Sequence, residues 1–232
     1  MKLLIAADME GISGVTQWEQ VDPLQGEYQR FRRIMTREVD AAAKGAFSAG
    51  AKEVVVADGH NLGTNILVEE LDPRVQLNNG TSSPLAMVQG IRGADAAFFI
   101  GYHARAGTTP AILDHTWSSR VHNVFLNGRL IGEIGLNAAV CGFFNVPVLL
   151  ISGDQSACAE AQEWVAGVMG VQVKAASGRW AAEVTPPVRS QAVIRTAAES
   201  VIRAFLDGQH PEPVVIPAPV RLGVELGASQ MA

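Results

Sequence analysis

The chain has 232 residues, 48% of them apolar and 18% charged, which is enough to bury a sizeable core and excludes the disordered and fibrous classes. A formal net charge of −5 and basic residues scattered along the chain argue against a nucleic-acid or anionic-membrane surface. The one basic cluster, Arg30, Arg32, Arg33 and Arg37, has helical spacing and reads as a solvated helix face.

Lys2–Ala7 is an apolar run ending in Asp8, the pattern of a buried strand in an α/β protein. It is too brief to be the core of a signal peptide, and no window has the apolar length of a membrane span, so a cytoplasmic location is expected. From Arg30 to Ala49 the apolar positions Phe31, Ile34, Met35, Val39, Ala42, Ala43, Ala46 and Phe47 predict an amphipathic helix stopped by Gly50. Lys52–Ala57 is a β-branched strand leading into Asp58-Gly59-His60, which completes a β-α-β unit. A helix-like stretch over Pro84–Ile91 precedes the strand Ala94–Tyr102, which ends at His103.

Val121–Leu126, Asn127-Gly128 and Arg129–Ile131 predict a hairpin, since Asn-Gly favours the turn with positive φ at both central residues. Glu133 opens a helix that runs through Val140, and Val146–Ser152 is a further apolar strand. Asp154 is placed to cap a helix marked by Ala157, Ala161, Trp164, Val165 and Val168. Cys141 and Cys158 lie in apolar, Ala-rich stretches and read as small hydrophobes, not as a disulfide. Val171–Ala176 is a candidate strand, Pro186-Pro187 precedes a helix over Ser190–Leu206, Pro211–Pro219 reads as a linker, and Val220–Leu226 is a last strand with no evident partner. The expected fold is α/β, an open, mostly parallel sheet between helices in three layers. Residues 1–180 would form the catalytic domain, and 181–232 a C-terminal extension that belongs to a smaller second domain.

In open α/β sheets, binding groups collect beyond the carboxyl ends of the strands, where Asp8, His60 and His103 all fall. Asp8-Met9-Glu10 sets two carboxylates on one side of an extended chain. Taken singly, Asp8 or Asp58 reads as a turn cap, a histidine as a hydrogen-bonded core residue, and Glu133 as a first-turn helix carboxylate. Together they crowd several carboxylates at one sheet edge, which must raise their pKa values or neutralise them with cations. Carboxylates mixed with imidazoles suit zinc better than calcium or magnesium. Gly11 and Gly14 offer a weak phosphate-loop reading, against which stand Asp8 and Glu10 and the lack of a G-x-G-x-x-G fingerprint.

The blocks Ala7-Asp8-Met9-Glu10-Gly11-Ile12-Ser13-Gly14, Asp58-Gly59-His60, Gly101-Tyr102-His103-Ala104-Arg105, Asp114-His115 and Gly132-Glu133-Ile134-Gly135-Leu136-Asn137 resemble, in order and spacing, the signature blocks of the D-aminopeptidase family of zinc metallopeptidases. The similarity runs from the first residue to about Gly153, and the family's chain usually continues past the point where this one stops. The resemblance implies a two-zinc site. In it Asp8 matches the bridging carboxylate, Glu10 a ligand of one ion, and His60, His103 and Glu133 the remaining ligands. His115 matches the family's catalytic histidine, described as its nucleophile. Attack by metal-activated water, with His115 handling protons, is chemically as sound. The implied substrate is a short peptide carrying D-amino acids, such as a D-alanyl peptide, cleaved at its amino-terminal residue, and the implied assembly is a ring-shaped homo-oligomer, a decamer. Asp114 stands where better-known relatives carry a small polar residue, and either raises the basicity of His115 or caps the turn.

Arg105 is a candidate for the substrate's carboxylate or for a pair with Asp58. Asn137, one helical turn past Glu133, is a candidate to hold that carboxylate or a substrate carbonyl. Two rivals stand beside the peptidase: a two-metal hydrolase of another bond, such as a phosphoesterase, and a non-catalytic metal-binding module. The second gives no reason for a histidine like His115 beside a complete ligand set.

Overall fold

The apolar runs become, in chain order, β1 (Lys2–Ala7), α1 (Tyr28–Ser48), β2 (Glu53–Asp58), β3 (Val75–Asn78), β4 (Ala96–Ile100), β5 (Val121–Leu126), β6 (Arg129–Ile131), α2 (Glu133–Phe143), β7 (Val148–Asp154), α3 (Gln155–Trp164), β8 (Met169–Ala176), β9 (Ala182–Val184), α4 (Pro187–Leu206) and β10 (Leu222–Leu226). The computed structural model describes residues 1–80 and 83–231. Its main sheet has seven strands in the order β3-β2-β1-β4-β7-β8-β9, all parallel except β9, which pairs antiparallel with β8 at the edge. The expected three-layer α/β fold is therefore present.

Side-chain alternation along β1 decides what each face buries. Leu3, Ile5 and Ala7 join Phe31, Met35, Val39 and Ala46 of α1 and Ile194, Ala198 and Ile202 of α4 in one core. Leu4 and Ala6 face the opposite core with Ile134, Ala138 and Cys141 of α2 and Ala157 and Ala161 of α3. Helices α1 and α4 cross closely at Gly45, where a Cβ would strike the Arg195 carbonyl. Both cysteines are free and buried, and burial pushes each thiol up to about 12, so they behave as packing residues. Among the described residues no helix is long and apolar enough to cross a membrane.

The Asn127-Gly128 turn forms as read, with φ of 50° and 81°, and closes β5 on β6. The last strand does find a partner, contrary to the expectation that it has none. β10 pairs antiparallel with β5, setting Leu222 opposite Leu126 and Val224 opposite Val124. The reason lies in 211–219, which is packed and not a free linker: the Val214 backbone rests on Gly142 of α2, and Asn127 donates to the Pro217 carbonyl. The chain is thereby returned to the free edge of the hairpin. β3 and β9 escaped the sequence reading because both are short edge strands without a clear alternation. The 84–91 segment forms only a 3-10 turn at Ala86–Val88.

The arginines of α1 do more than face solvent. Arg32 donates to the Thr64 and Asn65 carbonyls, while Arg33 and Arg37 pair with Glu70, so this helix face fastens the 64–70 segment. On the other side of α1, Glu38 is wholly buried and accepts from the Ser190 hydroxyl (2.5 Å) and the Ser13 amide (3.3 Å), while its Oε2 has no partner. Burial pushes its carboxyl from an ordinary 4.5 up to about 7, against the lowering by Ser190, Ser13 and the Lys174 charge. A carboxyl whose pKa is raised by folding stabilises the fold when protonated, fully below about pH 4.5, and this is lost as the pH rises through 7. Relative to Glu38→Gln, the unmodified protein should therefore lose ~2–3 kcal/mol of stability between pH 5 and 8. Urea melts of both proteins across that range check it, and a pH-independent gap would contradict it.

Candidate active site

With β1 between β2 and β4, the chain leaves the sheet in different directions after these strands, and the crevice at their carboxyl ends is where α/β folds bind ligands. Asp8 and Glu10 follow β1, His60 follows β2, and His103 follows β4. The fit of the loops is tight: a Cβ on Gly101, at φ 77°, would strike the Asp8 carbonyl, and one on Gly11 the Tyr102 carbonyl. Gly11 N–H donates to the Gly101 carbonyl at 2.7 Å, which ties the loops after β1 and β4 together. Glu133 arrives from elsewhere, at the start of α2, which the β5–β6 hairpin and Gly132 aim at the same crevice.

These residues converge. His60 Nδ1 lies 3.3 Å from Asp8 Oδ1 and 3.1 Å from Glu10 Oε2. His103 Nε2 lies 3.5 Å from Asp8 Oδ2 and 3.6 Å from Glu133 Oε1. Asp8, Glu10, His60, His103 and Glu133 are all at most 8% exposed. Asp8 Oδ2 and Glu10 Oε2 are buried and face only imidazole nitrogens, so with those rings neutral they have no donor, a costly state for carboxylate oxygens unless a cation sits against them. Two groups have ligand atoms within 4.8 Å of one another, Asp8–Glu10–His103 and His103–His115–Glu133, and they share His103.

Each histidine is also set up as a ligand by its second nitrogen. His60 Nε2 lies 2.8 Å from the Val21 carbonyl, His103 Nδ1 2.9 Å from the Ala104 carbonyl, and His115 Nδ1 2.9 Å from the Leu113 carbonyl. A carbonyl only accepts, so those nitrogens carry protons, and in the neutral rings that a metal ion requires the opposite ones keep lone pairs. Backbone carbonyls commonly fix metal-binding imidazoles in this way. His115 stacks on His103 with centroids 4.0 Å apart and meets the edge of Trp18 at 5.2 Å.

The field of the cluster points the same way. Burial pushes the Asp8 carboxyl up, as does the charge of Glu10, and burial likewise raises Glu133. For Glu10, burial is outweighed by His60, and its carboxyl falls well below the usual range. Burial opposes charge on His103, yet Glu133, Asp8 and Glu10 lift it to about 9. Burial and the neighbouring His103 charge lower His115. Three buried carboxylates thus call for positive charge among the imidazoles, which is the demand a divalent cation meets.

The surrounding shell contains residues the sequence reading did not single out. Lys174 of β8, wholly buried, donates to the carbonyls of Glu10, Ile12 and Val15 and so holds the loop after β1. A lysine inside an apolar strand was the available signal. Asn65 bridges Asp58 and the His60 carbonyl and accepts from the Tyr28 hydroxyl, with no signal in the local sequence. The Trp117 amide donates to Glu133 Oε1 at 2.7 Å from a backbone with φ 62°, a conformation rarely held by a bulky residue. Glu160 accepts from the Arg105 amide at 2.7 Å, and burial pushes it up to about 7.

The remaining candidates lie around the crevice. Asp58 accepts from the Asn65 and Ile66 amides and shapes the loop behind His60. Arg105 donates from its guanidinium to the Ala106 carbonyl, makes no pair with Asp58 among the described residues, and is not among those lining the cavity. Asn137 donates to the Tyr102 hydroxyl at 3.0 Å and to Met87 Sδ, behind the ligands. Asp114 takes the Gly107 amide and pairs with Arg179 at 3.1 Å, the turn-capping alternative. His122 and His210 are exposed.

The cavity over the cluster measures about 750 Å³ and is walled by Trp18, Trp117 and Trp180, with His115 among its lining. Comparison with known proteins gives a consistent picture. The sequence model of the D-aminopeptidase family matches residues 1–232. A D-aminopeptidase of Bacillus subtilis (strain 168) is 37% identical over 226 residues, 97% of this chain and 81% of that protein. The solved structure of the Zn-dependent D-aminopeptidase DppA from Bacillus subtilis, described as a self-compartmentalizing protease, aligns with a TM-score of 0.94. It is 35% identical, and the match covers 98% of this chain and 82% of that one.

Proposed function

The chain belongs to the D-aminopeptidase family, and from that premise we propose that this zinc-dependent aminopeptidase removes the amino-terminal residue of short D-amino-acid peptides. Asp8, Glu10, His60, His103 and Glu133 would hold the zinc, as two ions per subunit in this reading. The observation that carries this is the pair of buried carboxylate oxygens facing imidazole nitrogens that their carbonyl-held partners leave available as ligands once a cation replaces the ring proton. When bound, zinc supplies Lewis acidity at a scissile carbonyl and lowers the pKa of water toward neutrality.

The protein's own residues do the rest. With Nδ1 committed to the Leu113 carbonyl, His115 offers Nε2 to take a proton from the attacking group and return it to the leaving amine. A carboxylate of the metal site would anchor the free amino group of the peptide. The tryptophan walls narrow the cavity and restrict which Cα configuration fits, the basis for selecting D-residues.

Complete chelation should abolish hydrolysis of a D-alanyl amide, and return of zinc should restore it. Full activity in metal-free protein would contradict the mechanism. The relative described as self-compartmentalizing supports an oligomer for this chain also, and we infer a ring-shaped decamer with its sites facing inward. Exposed apolar side chains at Phe143, Val220 and Leu222 offer surface for such contacts. Sedimentation as a monomer at micromolar concentration would rule this out.

A further inference from the structure

Charge is distributed unevenly over the cavity. Its floor holds Asp8, Glu10 and Glu133, Asp22 lies on the wall, and the only Lys or Arg among the described lining residues is Arg179. Arg179 sits in the turn between β8 and β9, with its side chain 46% exposed at the mouth. The turn is pinned from two sides. Leu113 N–H donates to the Arg179 carbonyl at 3.2 Å, and Gln17 Nε2 donates to the Trp180 carbonyl at 3.0 Å.

The guanidinium itself is oriented but not used up. Nε lies 3.1 Å from Asp114 Oδ1, and Nη2 donates to the Asp114 carbonyl at 2.8 Å. Both contacts fall on one edge of the fork. Nη1 has no hydrogen-bond partner among the described residues, which leaves the Nη1–Nη2 edge for a second planar anion. Trp180 lies against the guanidinium at 5.4 Å, and Trp18, Trp117 and Trp180 wall the same cavity. With three of the chain's four tryptophans here, an ion pair at Arg179 is partly shielded from water and stronger than one on an open surface.

We infer that Arg179 binds the terminal carboxylate of the substrate, so that the site prefers short zwitterionic peptides with a free carboxyl end over carboxyl-blocked ones. The inference rests on the aminopeptidase reading above. A carboxylate at the metal site for the amine and a lone arginine at the mouth match the two ends of such a peptide. Two or three residues span at most about 7–11 Å, a length that a cavity of about 750 Å³ accommodates. Asp114 cancels part of the long-range pull of Arg179, but it leaves the hydrogen-bonding edge intact and fixes its direction.

The test compares kcat/KM of the zinc-loaded protein for D-Ala-D-Ala and D-Ala-D-Ala amide, in the unmodified protein, Arg179→Gln and Arg179→Lys. The unmodified protein should favour the free acid by about tenfold or more, mostly through KM, as expected of charge-assisted hydrogen bonds. In Arg179→Gln that ratio should fall to near one, and in Arg179→Lys it should be intermediate. A ratio near one in the unmodified protein, or one unchanged in Arg179→Gln, overturns the inference while leaving the aminopeptidase reading intact. Cleavage of neither peptide by the zinc-loaded protein overturns both. If Arg179→Gln does not fold, the unmodified protein and Arg179→Lys decide by the same ratios.

Discussion

His60→Ala is expected to lower zinc content and, with it, activity, while the fold survives. His60 contributes one ring nitrogen to Asp8 and Glu10 and the other to the Val21 carbonyl, so its loss removes a ligand and one strut of the loop. That loop has other supports: Asp58 accepts from the Asn65 and Ile66 amides, and Asn65 holds the His60 carbonyl. The peptide path should persist with its ligand missing. Loss of groups that merely orient ligands costs about 10–100-fold in metal affinity, so removal of a ligand itself should cost at least that. Elemental analysis after dialysis, together with a thermal melt, reads both effects. Zinc content equal to that of the unmodified protein would remove His60 from the ligand set.

His115→Ala should have the opposite signature, with zinc retained and turnover reduced by about 10²–10⁴-fold, the range for loss of a positioned proton carrier. The distinction is informative because His115 lies within ligand reach of His103 and Glu133. If it served mainly as a ligand, the variant would lose metal along with activity. Its placement argues for the proton role: the Leu113 carbonyl fixes Nδ1, Trp18 packs on the ring edge, and the ring lines the cavity. Single-turnover kinetics on zinc-replete variant, with metal measured in the same sample, separates the two. A zinc-replete variant with unimpaired turnover would rule out both roles.

Much of this architecture was legible before folding because its signals are local. Apolar runs ending in Asp8, His60 and His103 mark strands whose carboxyl ends meet, and parallel topology then brings the ligands together without further instruction. The Asn127-Gly128 turn and the Asp154 cap, which accepts from the Ser156 and Ala157 amides, are equally local chemistry. The supporting shell was not legible. Lys174 and Glu10 are far apart in sequence, and only the register of β8 against the loop after β1 makes the lysine a brace. Arg179 was hidden for the same reason, because its turn exists only once β9 pairs with β8. For Arg105 the local sequence leaves open whether it meets the substrate or an acid such as Asp58. The chain turns there, and its amide is taken by Glu160 while its guanidinium stays off the cavity.

The most direct test of the account is an anomalous-difference map at the zinc edge from crystals of the metal-loaded protein. Two peaks are expected, both within bonding distance, about 2.0–2.2 Å, of atoms drawn from Asp8, Glu10, His60, His103 and Glu133. Peaks bound elsewhere, or none over the Asp8 carboxylate in fully active protein, would contradict it.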